Sequence, residues 1–277
     1  MGPPTNPRSD RVRAVAALSR RSARARTGRF LAEGPQLVRE AVAHRPDLVL
    51  DVYATQAARH RHTDVLAAAA AAHLPVHEVG DEVLAAMADA QTPPGILAVC
   101  RTPAATLPDV VARRPRLVCV LAHVRDPGNA GTVLRGADAF GADAVVVTTG
   151  SVDVWSPKVV RSTAGSLFHV PLVVGVEIGQ AIAGLRAAGL RVLAADGAGA
   201  AALPDTDLTV PHAWVTGNEA WGLPSEIRQA CDAVVRVPIV GAAESLNLAM
   251  AATVCLYASA TARGAPGAAG PTRGPAG

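Results

Sequence analysis

From residue 117 onward the chain alternates short, almost wholly apolar runs with helix-like stretches, and this alternation restricts the possible folds more than any other feature. "LVCVLAHV" (117–124) leads through a loop into helical periodicity near 129–140; Gly141 suits the C-terminal cap, and "AVVVTT" follows as the next strand. Further strands are expected at 170–174, 191–195, 212–216 and 233–239, with helices between them. Strands this apolar must be covered on both faces. The expected class is therefore α/β, with a mostly parallel sheet sandwiched between helices.

The amino-terminal half alternates on a smaller scale. "EGPQLVREAVAH" (33–44) has helical periodicity, "DLVLDVYAT" (47–55) reads as a strand and "DVLAAAAAAH" (64–73) as a helix. A short strand "PVHEVG", a helix "DEVLAAMADA" and a strand "GILAVCR" ending at Arg101 complete a small α/β unit over 30–101. The stretch 102–116, with three prolines, is the expected linker to a larger domain over 117–261. The Gly/Pro/Ala-rich tail over 262–277 is expected to lack fixed structure. With 277 residues, half of them apolar but only 3% aromatic, two cores must pack mainly through small side chains.

The formal net charge of +3 is unevenly spread. The stretch from Arg8 to Arg29 holds eight arginines (Arg8, Arg11, Arg13, Arg20, Arg21, Arg24, Arg26 and Arg29) against the single Asp10, leaving the remainder net negative. A basic arm over 1–29 suits nucleic acid, because the guanidinium fork pairs with phosphate in two places; a solvated helix face accounts for the same charges. No early apolar core of a signal peptide and no bilayer-length apolar run is present, so a cytoplasmic protein with no membrane contact is expected. Cys100, Cys119, Cys231 and Cys255 lack metal-ligand spacing and read as buried, reduced small hydrophobes; no metal is expected.

Three loops carry polar residues where apolar ones would be expected. In "VRDPGNAGTVLRGADAFGADAVVV" (124–147), Gly128 and Gly131 give GxxG rather than the dinucleotide fingerprint GxGxxG, and no acidic residue ends the following strand. This argues against a nicotinamide-dependent oxidoreductase. Asn129 can cap the helix or face a site, and Arg135 can be solvated, ion-paired or functional. The second loop, "WVTGNEAWGLP" (214–224), puts glycines and Glu219 at the carboxyl edge of the sheet, the usual ligand position in open α/β folds. The third, "ESLNLAMAATVCLYA" (244–258), opens an otherwise apolar helix with Glu244, Ser245 and Asn247, as caps or as site groups.

In this order the loops resemble the SpoU (TrmH-like) branch of the SPOUT RNA methyltransferases, whose motifs run N-x-G-x-x-x-R, G-x-E-x-x-G-L and S-L-N. Here these are Asn129, Gly131 and Arg135; Gly217, Glu219, Gly222 and Leu223; and Ser245, Leu246 and Asn247. The likeness covers about 116–262, and "SPKVVRSTAGSLFHVP" (156–171) resembles the family's connecting segment. The first unit resembles, less specifically, a substrate-binding domain carried by many members.

The resemblance implies S-adenosylmethionine as cofactor, methylation of an RNA ribose 2′-hydroxyl, and a trefoil-knotted carboxy-terminal segment, an exception to the rule against knots. It implies that Thr216, Gly217, Asn218, Val237, Pro238, Ile239 and Leu246 hold the cofactor. Arg135 would act at the reacting hydroxyl, with Asn129, Glu219, Ser245 and Asn247 orienting it. Anchoring a phosphate and stabilising an emerging alkoxide suits a guanidinium better than acting as a base. Family members form homodimers through the last helix. A separate first domain with a basic arm resembles ribosomal RNA enzymes, acting on 23S rRNA, more than compact transfer RNA enzymes; DNA is not an expected partner. A non-catalytic RNA-binding or assembly factor of the same fold is the competing class.

Overall fold

The computed structural model describes residues 6–103, 105–218 and 220–264. The first unit comprises α1 (Asp10–Ala16), α2 (Arg21–Thr27), β1 (Arg29–Glu33), α3 (Pro35–His44), β2 (Val49–Ala54), α4 (Gln56–Arg61), α5 (Thr63–Ala71), β3 (Val76–Glu78), α6 (Asp81–Met87) and β4 (Ile96–Arg101). Its four-stranded sheet runs β1-β4-β2-β3, with β4 antiparallel to both neighbours.

The second unit comprises α7 (Leu107–Ala112), β5 (Leu117–Leu121), α8 (Pro127–Ala139), β6 (Ala144–Thr148), α9 (Pro157–Ser162), β7 (Leu172–Val176), α10 (Ile178–Ala187), β8 (Arg191–Ala195), β9 (Ala201–Ala202), β10 (His212–Thr216), α11 (Ser225–Ala230), β11 (Ala233–Arg236) and α12 (Leu248–Ala262). Its seven strands, ordered β7-β6-β5-β10-β8-β11-β9, are parallel throughout. One apolar cluster covers each face of this sheet, as the unbroken apolar runs require.

Several expectations need correction. The basic arm is neither separate nor wholly solvated: Val12, Val15 and Leu18 of its first segment pack with Val83, Leu84 and Met87. The linker contains α7, because Thr106 and Asp109 form a reciprocal capping box that stabilises a helix despite the prolines nearby. The strand expected over 233–239 ends at Arg236; Pro238 has no N–H to continue a ladder. The strand expected over 170–174 lies two residues later, at Leu172–Val176. The tail beyond residue 264 lies outside the described residues.

Two contacts set the position of α12. Gly136 lets α8 approach it closely, facing Thr253 and Leu256. Beneath it, buried Ser259 joins β10: its Oγ accepts the Trp214 indole N–H at 2.8 Å and lies 2.7 Å from His212 Nε2. His212 Nδ1 lies 2.8 Å from the Val210 carbonyl, which assigns its proton there and leaves Nε2 to accept from Ser259. Burial holds the pKa of His212 below its usual value, in keeping with the neutral ring.

The two units share a core. Phe30 of β1 meets Trp155 and Phe168 of the second unit at ring separations of 5.1 and 6.1 Å. Around this contact Arg24, 5% exposed, donates to Asp153 Oδ2 at 2.6 and 3.0 Å, and Arg161 reaches Glu33 and Asp89. His169 lies 2.8 Å from Asp138 of α8 and 3.1 Å from Glu40 of α3, and the His44 Nε2 lies 3.4 Å from the same Glu40 carboxylate. The four cysteines are free and buried; burial pushes the thiols of Cys100, Cys119 and Cys255 up to about 12 and that of Cys231 to about 11.

Two predictions follow from these contacts. Ser259→Ala strands the Trp214 N–H and His212 Nε2 in the interior and is expected to lower stability by about 2 kcal/mol or more in urea unfolding; a loss under about 0.5 kcal/mol would discount the lock. For His169, partial burial lowers the pKa, but the hydrogen bonds and charges of Asp138 and Glu40 outweigh it and raise the net value. Its contribution is therefore full below the unfolded histidine value, about 6.5, and disappears as pH rises through the higher folded value. The melting-temperature gap between wild type and His169→Ala should narrow as pH rises from about 6 to about 9, and a constant gap would contradict the assignment.

Candidate active site

Strands β5, β6 and β7 step outward to one side of the sheet and β8, β11 and β9 lie to the other, with β10 between them. The order thus reverses at β10, and ligand crevices in open parallel sheets form beyond the carboxyl ends of strands at such a point. A cleft of about 700 Å³ opens there. It is bounded by the residues that follow β8, β10 and β11 and by the start of α12.

The loop after β10 is closed on itself. The Asn218 N–H donates to the Gly222 carbonyl at 2.8 Å and the Gly222 N–H returns to the Asn218 carbonyl at 2.9 Å. Gly222 has φ +64°, and a Cβ on Gly217 would overlap the Gly222 backbone, so both motif glycines are required by this closure. The Asn218 side chain, 5% exposed, donates to the His123 carbonyl at 2.8 Å, fastening the loop to the end of β5.

The first loop starts α8. Asp126, not Asn129, is its N-cap, accepting the Asn129 N–H at 2.7 Å. Gly131 passes so close to α9 that a Cβ would come within 2.9 Å of the Ser162 backbone. In the third loop the cap is Asn247: its Oδ1 accepts from the N–H groups of Ala249 and Met250, while its Nδ2 donates to Asn129 Oδ1 at 3.0 Å. Ser245, expected as a cap, is instead exposed on the cleft wall. The amide of Asn247 thus caps a helix and joins the first and third loops.

Of the expected cofactor residues, Gly217, Asn218, Val237, Pro238, Ile239 and Leu246 line the cleft. Thr216 does not: it is buried below, its hydroxyl donating to the Val120 carbonyl at 3.2 Å. The Asn218 main chain is spent on loop closure. Arg135 is exposed on α8 and is not among the described residues lining the cleft. Glu219 lies outside the described residues.

Asp196, directly after β8 and outside the three motif loops, also lines the cleft and is 3.4 Å from Arg228. An Asp-Gly pair directly after an apolar strand was the available signal. Glu244 and Asp196 give the cleft carboxylates suited to an ammonium or ribose hydroxyls, while Val237, Ile239 and Leu246 offer an apolar wall for a heterocycle. These groups fit a zwitterionic amino acid joined to a nucleoside.

Comparison with known proteins agrees with this geometry. The model of the SpoU rRNA Methylase family matches residues 116–257, and that of the MRM3-like substrate binding domain matches residues 9–98. The chain is 31% identical over 250 residues to the 23S rRNA (guanosine(2553)-2′-O)-methyltransferase RlmP of Bacillus subtilis, covering 90% of this chain and 96% of that one. It is 34% identical over 256 residues to the 23S rRNA (uridine(2479)-2′-O)-methyltransferase of Streptomyces viridochromogenes, covering 87% and 86%. An AdoMet-bound rRNA methyltransferase from Sinorhizobium meliloti superposes with a TM-score of 0.80 at 30% identity, covering 92% of this chain and 96% of that one. For the SpoU methyltransferase AviRb from Streptomyces viridochromogenes in complex with AdoMet the TM-score is 0.76 at 31% identity, with 92% and 99% covered. With its three motif loops gathered at the reversal point of a parallel sheet and a family model spanning just over half its length, the chain belongs to the SpoU rRNA methylase family.

Proposed function

We propose that the protein is an S-adenosylmethionine-dependent methyltransferase acting on a ribose 2′-hydroxyl of 23S rRNA. The observation that carries this reading is the cleft at the strand-order reversal, whose walls combine Gly217, Ile239 and Leu246 with the carboxylates of Asp196 and Glu244. Relatives matched along nearly the whole chain bear names of 23S rRNA 2′-O-methyltransferases, which favours ribosomal over transfer RNA.

The cofactor supplies an activated sulfonium methyl. This chain's part is to hold it beside the hydroxyl, align the two and move one proton. Asn129 and Asn247, mutually bonded, hold the first loop to the start of α12, beside the cleft residues Leu246 and Leu248, and orient the groups there. Arg135 anchors a phosphate beside the target ribose and stabilises charge on its oxygen. Ser245 and Glu219 complete the constellation.

The exposed guanidinia of the arm, Arg8, Arg13, Arg20, Arg21, Arg26 and Arg29, receive the RNA backbone. A second cleft, of about 410 Å³, supports this path: Arg21 lines it together with the ends of β6 and β7. Arg11 and Arg24 have internal work instead, Arg11 bonding Asp51 and Tyr53 and Arg24 bonding Asp153. Gly217 and Gly222 of the second loop and Glu244 to Leu246 before α12 line one cleft, an arrangement in keeping with a knotted carboxy-terminal segment. Among the described residues no helix is long and apolar enough to cross a membrane, and the names of the rRNA-modifying relatives favour a cytoplasmic location.

A second copy covers α12. Met250, Val254 and Tyr257 recur on it at helical spacing and are exposed, Tyr257 at 58%, although the helix is otherwise apolar. Neighbouring α8 carries Arg135, so such a dimer brings that residue near the junction of the two copies.

Two experiments test the proposal. Arg135→Ala is expected to abolish tritiated methyl transfer to 23S rRNA while calorimetry shows S-adenosylmethionine affinity within a few fold of wild type; joint loss of both would make Arg135 structural, and a wild type with no affinity for the cofactor would favour the non-catalytic class. Light scattering should give a dimer mass for wild type and a monomer for Met250→Arg/Tyr257→Arg. A monomeric wild type would remove the dimer.

A further inference from the structure

Trp221 is placed at odds with the chain's use of aromatics. The sequence has only three tryptophans, and the other two serve packing: Trp155 lies against Phe30, and buried Trp214 donates to Ser259. Trp221 is 54% exposed on the wall of the cleft. The mutual Asn218 and Gly222 bonds close the loop that carries it, and Asn218 fastens that loop to β5, so the indole is held out on a rigid support. The Arg125 guanidinium, from the loop that begins α8, lies 5.0 Å from its ring centroid.

Ribose methylation requires the 2′-oxygen to reach the floor of a cleft, which a nucleotide stacked in a helix does not permit. The target must leave its stack and thereby loses base–base contact. An aromatic face at the entrance restores that contact for any base, and a neighbouring guanidinium meets the phosphate that moves with it. Trp221, on the wall of the cleft, and Arg125, 5.0 Å from its ring, supply this pair from two different loops.

We propose that Trp221, backed by Arg125, is the platform on which an unstacked nucleobase of the RNA substrate rests during methyl transfer. The site selects single-stranded or extruded nucleotides and tolerates different bases, because stacking reads a π-face rather than a hydrogen-bonding edge. The inference rests on the RNA methyltransferase reading above.

The test uses the full chain and in vitro transcribed 23S rRNA. Trp221→Ala should raise the KM for RNA about tenfold, with the S-adenosylmethionine dissociation constant within about twofold of wild type, and Trp221→Phe should recover most of the loss. The difference in emission between wild type and Trp221→Phe isolates this indole, and the transcript should quench it. A cofactor affinity that falls in step with the rise in KM would overturn the platform and make Trp221 a lid over the cofactor. Normal RNA kinetics in Trp221→Ala, or an unquenched indole, would overturn it as well. A wild type that is quenched by the transcript yet transfers no methyl would instead remove the methyltransferase reading and leave the stacking contact standing.

Discussion

The geometry of the site depends on the fixed height of α12 above the sheet. Ser259 ties the helix to β10 through His212 and Trp214, and Gly136 allows α8 to lie against its other side. The second loop hangs from the end of β10, the first begins α8 and the third begins α12. One buried hydroxyl and one missing side chain therefore set the distances among all three. A polar contact in an otherwise apolar interface suits this purpose, since sliding the helix would leave an N–H and a ring nitrogen unpaired in the interior, whereas apolar contacts tolerate small slips.

The loops are then joined to one another by amides. Asn247 reaches Asn129, and Asn218 reaches the main chain of His123. An amide both donates and accepts, so Asn247 can cap a helix with its oxygen and reach across to the first loop with its nitrogen. The motif glycines have an equally local explanation: Gly131 permits the approach of α9, and Gly217 with Gly222 permits the loop to close. Much of the family signature thus builds the cleft, while Ser245, Leu246 and Ile239 form its wall.

The junction between the units shows how a chain poor in aromatics makes a rigid contact. It gathers Phe30, Trp155 and Phe168 at one place and surrounds them with charged pairs that include Arg24 with Asp153 and Arg161 with Glu33. Because α2 is bound through Arg24, Arg21 on the same helix sits beside the catalytic sheet. The buried arginine fixes where the exposed one is presented.

Local patterning in the sequence was sufficient for the parallel sheet, the bounds of β8 and β10, the burial of the four cysteines and the order of the three loops, because apolar runs and turn residues act over a few neighbours. It also held the signals for α7, in Thr106 and Asp109, and for the cleft carboxylate Asp196, which surrounding prolines and a short strand end obscured. Only the tertiary structure decided which arginines of the first segment face outward, that Thr216 lies beneath the cleft rather than in it, that Asn247 caps α12 in place of Ser245, and that Trp221 meets Arg125. Apart from the cap itself, which Asn247 makes to Ala249 and Met250, these depend on partners distant in the chain: 129 residues separate Arg24 from Asp153, and 118 separate Asn129 from Asn247. The role of a charge or an amide is set by what it meets, and local periodicity carries no record of that meeting.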